Sequence, residues 1–213
     1  MPNLPVIAHH IVWTGYGCWL PNDPRGSFSQ DVGSDKIAQL GGSHYGRRRT
    51  QPARQIVNEF YAEARPILNH PLLKFTQQQF ELIAQGFTDA IKQQSYTCYA
   101  CAILPNHVHL LIRKHKHRAE QMIEVFQAAS RLRISQARIA DPDHPVWTVG
   151  GWKAFLHHPD GILRVIRYIE NNPVKERLPE QSWEFVKPYN GWPLHAGHNP
   201  NTAYAKRLRE QSR

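Results

Sequence analysis

Read along the chain, the order strand, helix, strand, strand, helix, strand, helix predicts an α+β fold: a ferredoxin-like antiparallel sheet with helices on one side, plus an extra C-terminal helix and tail. Three observations carry this. Tyr96 to Leu104 and His107 to Arg113 are strand-like runs separated only by Pro105-Asn106, a tight turn that makes them antiparallel neighbours. Apolar residues recur at helical spacing in Phe80, Ile83, Ala84, Phe87, Ala90 and Ile91, and again in Met122, Val125, Phe126, Ala129 and Leu132. The β-branched run Val6 to Thr14 supplies a strand before the first of these helices.

Val6 to Thr14 holds His9 and His10, expected as packing or DNA-facing residues rather than ligands. Residues 15–50 are dense in Gly, Pro, Asp, Asn and Ser, so 15–75 reads as a long loop or insertion, with a short helix in 52–69 interrupted at Pro66. Thr76-Gln-Gln-Gln79 is a capping box opening the helix that carries Phe80. After the paired strands and the helix around Phe126, Asp141-Pro-Asp-His-Pro145 marks a stop, and Val146-Trp-Thr-Val149 is the expected fourth strand. Pro159-Asp160-Gly161 leads into a final helix, expected to end at Asn172 because Pro173 follows. The aromatic stretch Trp183 to Trp192 is expected to pack on the domain. The organisation is thus one domain over 1–194 and a basic, partly disordered tail over 195–213.

The chain has 213 residues and a formal net charge of +9, with a pI near 9.7. That surplus favours a polyanionic partner, because neutralising phosphates supplies most non-specific nucleic-acid affinity. The plain alternative is solubility. No run of about 18 apolar residues suggests a membrane span, and Met1-Pro-Asn-Leu-Pro lacks the pattern of an export signal, so a cytoplasmic location is expected. Cys18, Cys98 and Cys101 are too few for a disulfide frame. Cys98-x-x-Cys101 is read as accidental, since strand residues three apart face opposite ways and no second pair completes a zinc site.

Chemistry concentrates in two segments. In Leu104-Pro-Asn-His107-Val-His109-Leu-Leu-Ile112, strand alternation turns His107 and His109 to one face, and two adjacent imidazoles make half of a metal site. In the last helix, Arg164, Tyr168 and Asn172 recur every four residues opposite Ile162, Val165, Ile166 and Ile169, offering a phenol and an amide on one face. Each has a duller explanation: a surface His pair, a core-edge Tyr, a helix stop. Basic groups elsewhere are candidate DNA contacts or solvated charge: Arg47, Arg48 and Arg49 at a loop tip beside Tyr45, His115 and Lys116 after the second histidine strand, and Arg164 one turn before Tyr168.

Together, His107-hydrophobic-His109, Tyr168 with Asn172 four residues on and Pro173-Val174 behind it, and the opening His9-His10-Ile-Val-Trp with Gly15-Tyr-Gly-Cys-Trp-Leu-Pro-Asn-Asp-Pro-Arg25-Gly, resemble the single-tyrosine HUH transposases, within them the REP-associated tyrosine transposases. The resemblance covers most of the chain and is weakest over 27–75 and the last dozen residues. It implies that His107, His109 and Asn172 bind a divalent metal, Mg²⁺ or Mn²⁺, and that Tyr168 forms a 5′-phosphotyrosine link on single-stranded DNA. Tyrosine suits this work because its phenolate leaves more readily than a serine alkoxide, so the covalent step conserves bond energy for rejoining. It further implies single-stranded or hairpin DNA as partner, with a monomer or homodimer as the working unit. Two rivals follow from the same residues: a DNA-binding regulator on this fold that does not cut, and a zinc hydrolase, which lacks a third His, Cys or carboxylate ligand with a general base nearby.

Overall fold

The computed structural model describes residues 5–138 and 141–192. Their elements are β1 (Ala8–Thr14), α1 (Asp35–Ala38), α2 (Arg54–Ala64), α3 (Gln77–Gln94), β2 (Cys98–Ile103), β3 (His107–Arg113), α4 (Ala119–Gln136), β4 (Trp152–Leu156) and α5 (Pro159–Lys175). The four strands form one sheet in the order β2-β3-β1-β4, antiparallel throughout. No helix among the described residues is long and apolar enough to cross a membrane.

Strand alternation sorts the side chains into two layers. Ile11, Trp13, Val108, Leu110 and Ile112 face α3 and α4, meeting Phe80, Phe87, Met122 and Phe126 in the larger core. The Thr76 hydroxyl accepts from the Gln79 backbone while the Gln79 amide oxygen accepts from the Thr76 N–H, so α3 starts at the capping box. α3 and α4 touch backbone to backbone at Gly86, where a Cβ would lie 2.5 Å from Ser130 Cα. On the other face Ala8, Ala100, Ala102 and Leu111 receive Ile162 and Ile169 of α5, and the three alanines let that helix lie low over the sheet.

Three expectations are corrected. The fourth strand is Trp152–Leu156, not Val146 to Val149. Val146 has φ 64° and cannot run in a ladder, and Trp147 goes to the core, its indole N–H donating to Ser130 Oγ at 3.0 Å. α5 does not stop at Asn172 but continues through a buried Pro173 to Lys175. It closes one turn later, where Leu178 N–H donates to Pro173 O at 2.8 Å, Arg177 N–H donates to Val174 O at 3.0 Å, and Arg177 takes φ 59°. Cys98 and Cys101 do not face opposite ways: the register shifts between Cys98 and Ala100, and both thiols enter the larger core. Burial pushes the Cys98 thiol up to about 12 and Cys101 well above its usual value, which leaves both inert. The short helix expected in 52–69 is present as α2, and α1 adds one turn earlier in the insertion. α1 and α2 bring Ile37, Phe60 and Ala64 against Leu20 in a small core of its own.

After α5 the chain returns along β2. The Gln181 amide both donates to Ile103 O at 2.7 Å and accepts from Ile103 N–H at 2.9 Å, and Lys187 N–H donates to Cys98 O at 2.8 Å. Trp183, Phe185 and Val186 pack on the larger core, as expected of this aromatic stretch. The tail predicted over 195–213 lies outside the described residues.

Candidate functional site

The register of β1 on β3 pairs Val12 with His109, Thr14 with His107 and His10 with Leu111. Paired residues share a face, so His10, His107 and His109 all point toward the α5 side. The His107 and His109 rings lie 4.9 Å apart by centroid, and His10 meets His109 edge to edge, with centroids 5.3 Å apart, planes 27° apart and His10 Nε2 3.0 Å from His109 Nδ1. α5 lays Tyr168 beside them: its ring is 5.6 Å from His109 and 6.0 Å from His10, both edge on, and 46% of the residue remains exposed. Trp152 of β4 meets His10 edge on at 5.3 Å, and Lys175 Nζ sits 5.2 Å from the Tyr168 ring centre. One chain therefore supplies the phenol and both histidines of the pair.

Electrostatically the histidines form a neutral cluster. Burial lowers His107 and His10 to about 4. His109 falls to about 2, through burial first and then repulsion from protonated His107 and His10. At neutral pH all three keep a lone pair, the state that binds a cation. For His107 the tautomer follows from its partner. Nδ1 lies 2.7 Å from Asn106 Oδ1, an oxygen that only accepts, so the proton is on Nδ1 and Nε2 has the lone pair.

These groups line a groove of about 780 Å³ whose other wall is the insertion. Arg25 and Arg47 reach it from there, with Trp19 and Phe28. Arg25 is fixed by a buried Asp23, whose carboxylate accepts from Arg25 Nε at 2.8 Å, Arg25 Nη2 at 2.6 Å and the Tyr61 hydroxyl. Its guanidinium also stacks on Trp19 at 3.8 Å. Arg47 arrives because the two loop arms are pressed together: Gly46 N–H donates to Ser27 O at 2.6 Å and Arg48 N–H to Arg25 O at 2.9 Å. Gly26 makes this possible, with φ 90° and its missing Cβ only 2.0 Å from Gly46 O.

The remaining candidates fall elsewhere. Asn172 is half-buried one turn beyond Tyr168, and its amide Nδ2 donates to Tyr168 O at 3.0 Å; it does not line the groove. Arg164 is exposed on α5, and Arg48 and Arg49 are exposed on the loop, none of them lining the groove. His115 and Lys116 follow the far end of β3, where His115 packs on the Tyr96 ring at 4.9 Å. Conversely His10, Trp152 and Arg25 line the groove, and Lys175 lies against the Tyr168 ring, though none of the four was among the expected site residues. For His10 a signal existed: any strand pairing that set β1 beside β3 would add an imidazole to the face of His107 and His109.

Two neutral imidazoles opening on a groove fit one side of a divalent ion. Among the described residues no three His, Cys, Asp or Glu side chains converge to hold one, so a third ligand drawn from these residues would be an amide, carbonyl or hydroxyl oxygen. Asn172 is near the phenol, but its oxygen reaches the groove only if the side chain leaves its bond to Tyr168 O.

No family model and no curated protein matches the chain. Among solved structures it is similar to a REP-associated tyrosine transposase bound to a REP hairpin, at 10% identity over 91% of this chain and 78% of that one, TM-score 0.43. A second is a protein of Deinococcus radiodurans R1, provisionally described as a transposase, at 12% identity over 80% of this chain and 94% of that one, TM-score 0.37.

Proposed function

We propose that this chain cleaves and rejoins single-stranded or hairpin DNA through a covalent link to Tyr168, on a ferredoxin-like sheet of the HUH transposase kind. The observation that carries this reading is the meeting of Tyr168 with His107 and His109 in one groove whose opposite wall presents Arg25 and Arg47. A strand laid in the groove puts its phosphates against the two guanidiniums. The Tyr168 oxygen attacks phosphorus and loses its proton to solvent, the bond to the 3′ oxygen breaks, and that oxygen takes a proton from solvent. The products are a free 3′-hydroxyl and a 5′-phosphotyrosine. Attack of a 3′-hydroxyl on that phosphorus reverses the step, restoring the phenol and joining strands. Lys175 Nζ, 5.2 Å from the Tyr168 ring centre, adds a positive charge beside the nucleophile.

His107, His109 and the Asn172 amide oxygen are the residues that would hold Mg²⁺ or Mn²⁺. The bound ion would draw charge from the phosphate oxygens and orient the ester. Tyr168 acts in cis, on the histidines of its own chain. The test is incubation with single-stranded DNA from the flanks of its own gene, with Mn²⁺ or with chelator. The expected result is a denaturant-resistant, metal-dependent adduct that disappears in Tyr168→Phe. A second reading, a regulator that binds without cutting, is favoured by the Asn172 amide being engaged with the helix backbone. Tight binding with no adduct under any metal would select it.

A further inference from the structure

We propose that His10 is a positioning residue: its Nε2 accepts a hydrogen bond from His109 Nδ1–H, which fixes His109 in the tautomer whose Nε2 lone pair faces the groove. This rests on His107 and His109 being the imidazole pair of the metal site. The contact itself is a 3.0 Å approach of two ring nitrogens, both on buried residues where water does not compete. Two nitrogens at that distance share a single proton, so one ring donates and the other accepts. If His10 donated, the His109 proton would sit on Nε2, and the ring would turn an N–H into the groove and bind nothing there. The opposite direction leaves His109 Nε2 free.

The neighbouring ring shows the same arrangement with its direction determined. His107 Nδ1 faces an amide oxygen that only accepts, so His107 already presents a bare Nε2. Asn106 and His10 then serve one purpose from two elements, the turn before β3 and strand β1. Each accepts a hydrogen bond from the Nδ1–H of one histidine, and both Nε2 lone pairs are left available to one ion. His10 is not a third ligand, because no three such side chains converge among the described residues and its near nitrogen is spent on His109. Trp152, edge on to His10 at 5.3 Å, restricts the ring that does the accepting. Partners of this kind around ligating histidines are worth about 10–100-fold in metal affinity.

The experiment uses the full-length protein without metal, with ¹⁵N-labelled histidine and long-range ¹H–¹⁵N correlation at pH 7.5. The expected spectrum shows His109 protonated on Nδ1. In His10→Phe, which keeps the ring and loses the acceptor, His109 is expected to shift toward the Nε2-protonated form that prevails in water. Mn²⁺ affinity, read by EPR titration, is expected to fall about 10–100-fold. His10→Gln offers an amide oxygen as acceptor and is expected to restore both readings. Wild-type His109 protonated on Nε2 overturns the proposal, and so does a His10→Phe protein that binds Mn²⁺ as wild type does. The wild-type spectrum decides even if His10→Phe fails to fold. It needs neither DNA nor metal, so its outcome is separate from that of the adduct assay, which tests the cleavage reading.

Discussion

Replacing Asp23 with Ala tests whether the insertion is a built wall of the groove. Asp23 is 1% exposed, and its carboxylate takes hydrogen bonds from the Arg25 backbone N–H, Arg25 Nε, Arg25 Nη2 and the Tyr61 hydroxyl. Removing one member of a buried pair costs about 3–5 kcal/mol, because the other charge is left without compensation. Arg25 keeps 29% side-chain exposure and its stack on Trp19, so part of its charge is rehydrated and the low end, about 3 kcal/mol, is expected. The Tyr61 hydroxyl retains Cys18 O as acceptor at 3.1 Å and adds little. With a urea m-value of about 3 kcal/mol/M, the unfolding midpoint should fall by about 1 M. A double-mutant cycle with Arg25→Met isolates the pair: once the guanidinium is gone, Asp23→Ala should cost clearly less. A midpoint shift below about 0.3 M in Asp23→Ala, or full additivity in the cycle, would show that the pair is not what holds the wall.

Three further outcomes follow from the same structure. His9 is buried with neither ring nitrogen hydrogen-bonded, and burial, then Lys114, lowers it to about 4. The unfolded chain takes that proton from pH 6.5 downward and the folded chain only near 4, so stability falls on acidification across this window and the slope from this group ends below it. His9→Leu should therefore lose up to about 3 kcal/mol less than wild type between the two ends, measured by urea unfolding at each pH. Gly86→Ala drives a methyl to 2.5 Å from Ser130 Cα, and both helices must shift; a net loss of about 2 kcal/mol and a Tm lower by about 5 °C are expected by calorimetry. Arg47→Gln should weaken single-stranded DNA binding and reduce the salt slope by about 1, whereas Arg49→Gln, outside the groove, should leave both nearly unchanged in fluorescence anisotropy.

Much of this was legible because it is local. The Thr76 and Gln79 capping box, the Pro105-Asn106 turn and the two-residue spacing of His107 and His109 each declare themselves within a few residues, and β3 spans His107 to Arg113 as read. What stayed hidden depends on partners distant in sequence. His10 becomes part of the site only through the register of β1 on β3, 99 residues away. β4 is a short edge strand with Trp152 and Phe155 exposed, so it lacks the buried apolar pattern that Val146 and Trp147 display for a different reason. The bulge beside Cys98 inverts a facing argument that assumes regular alternation. The Asp23, Arg25 and Tyr61 knot joins two ends of a segment without periodicity, where pattern reading has nothing to hold.

The segment from Gln181 to Lys187 spends its own polar groups on the outer rim of β2, meeting both backbone atoms of Ile103 and the carbonyl of Cys98. A bare rim of this sort is where one molecule recruits another into an ordered aggregate. By folding back on itself the polypeptide shields that flank with its own sequence, and lateral growth of the sheet is left only the short β4 flank to start from.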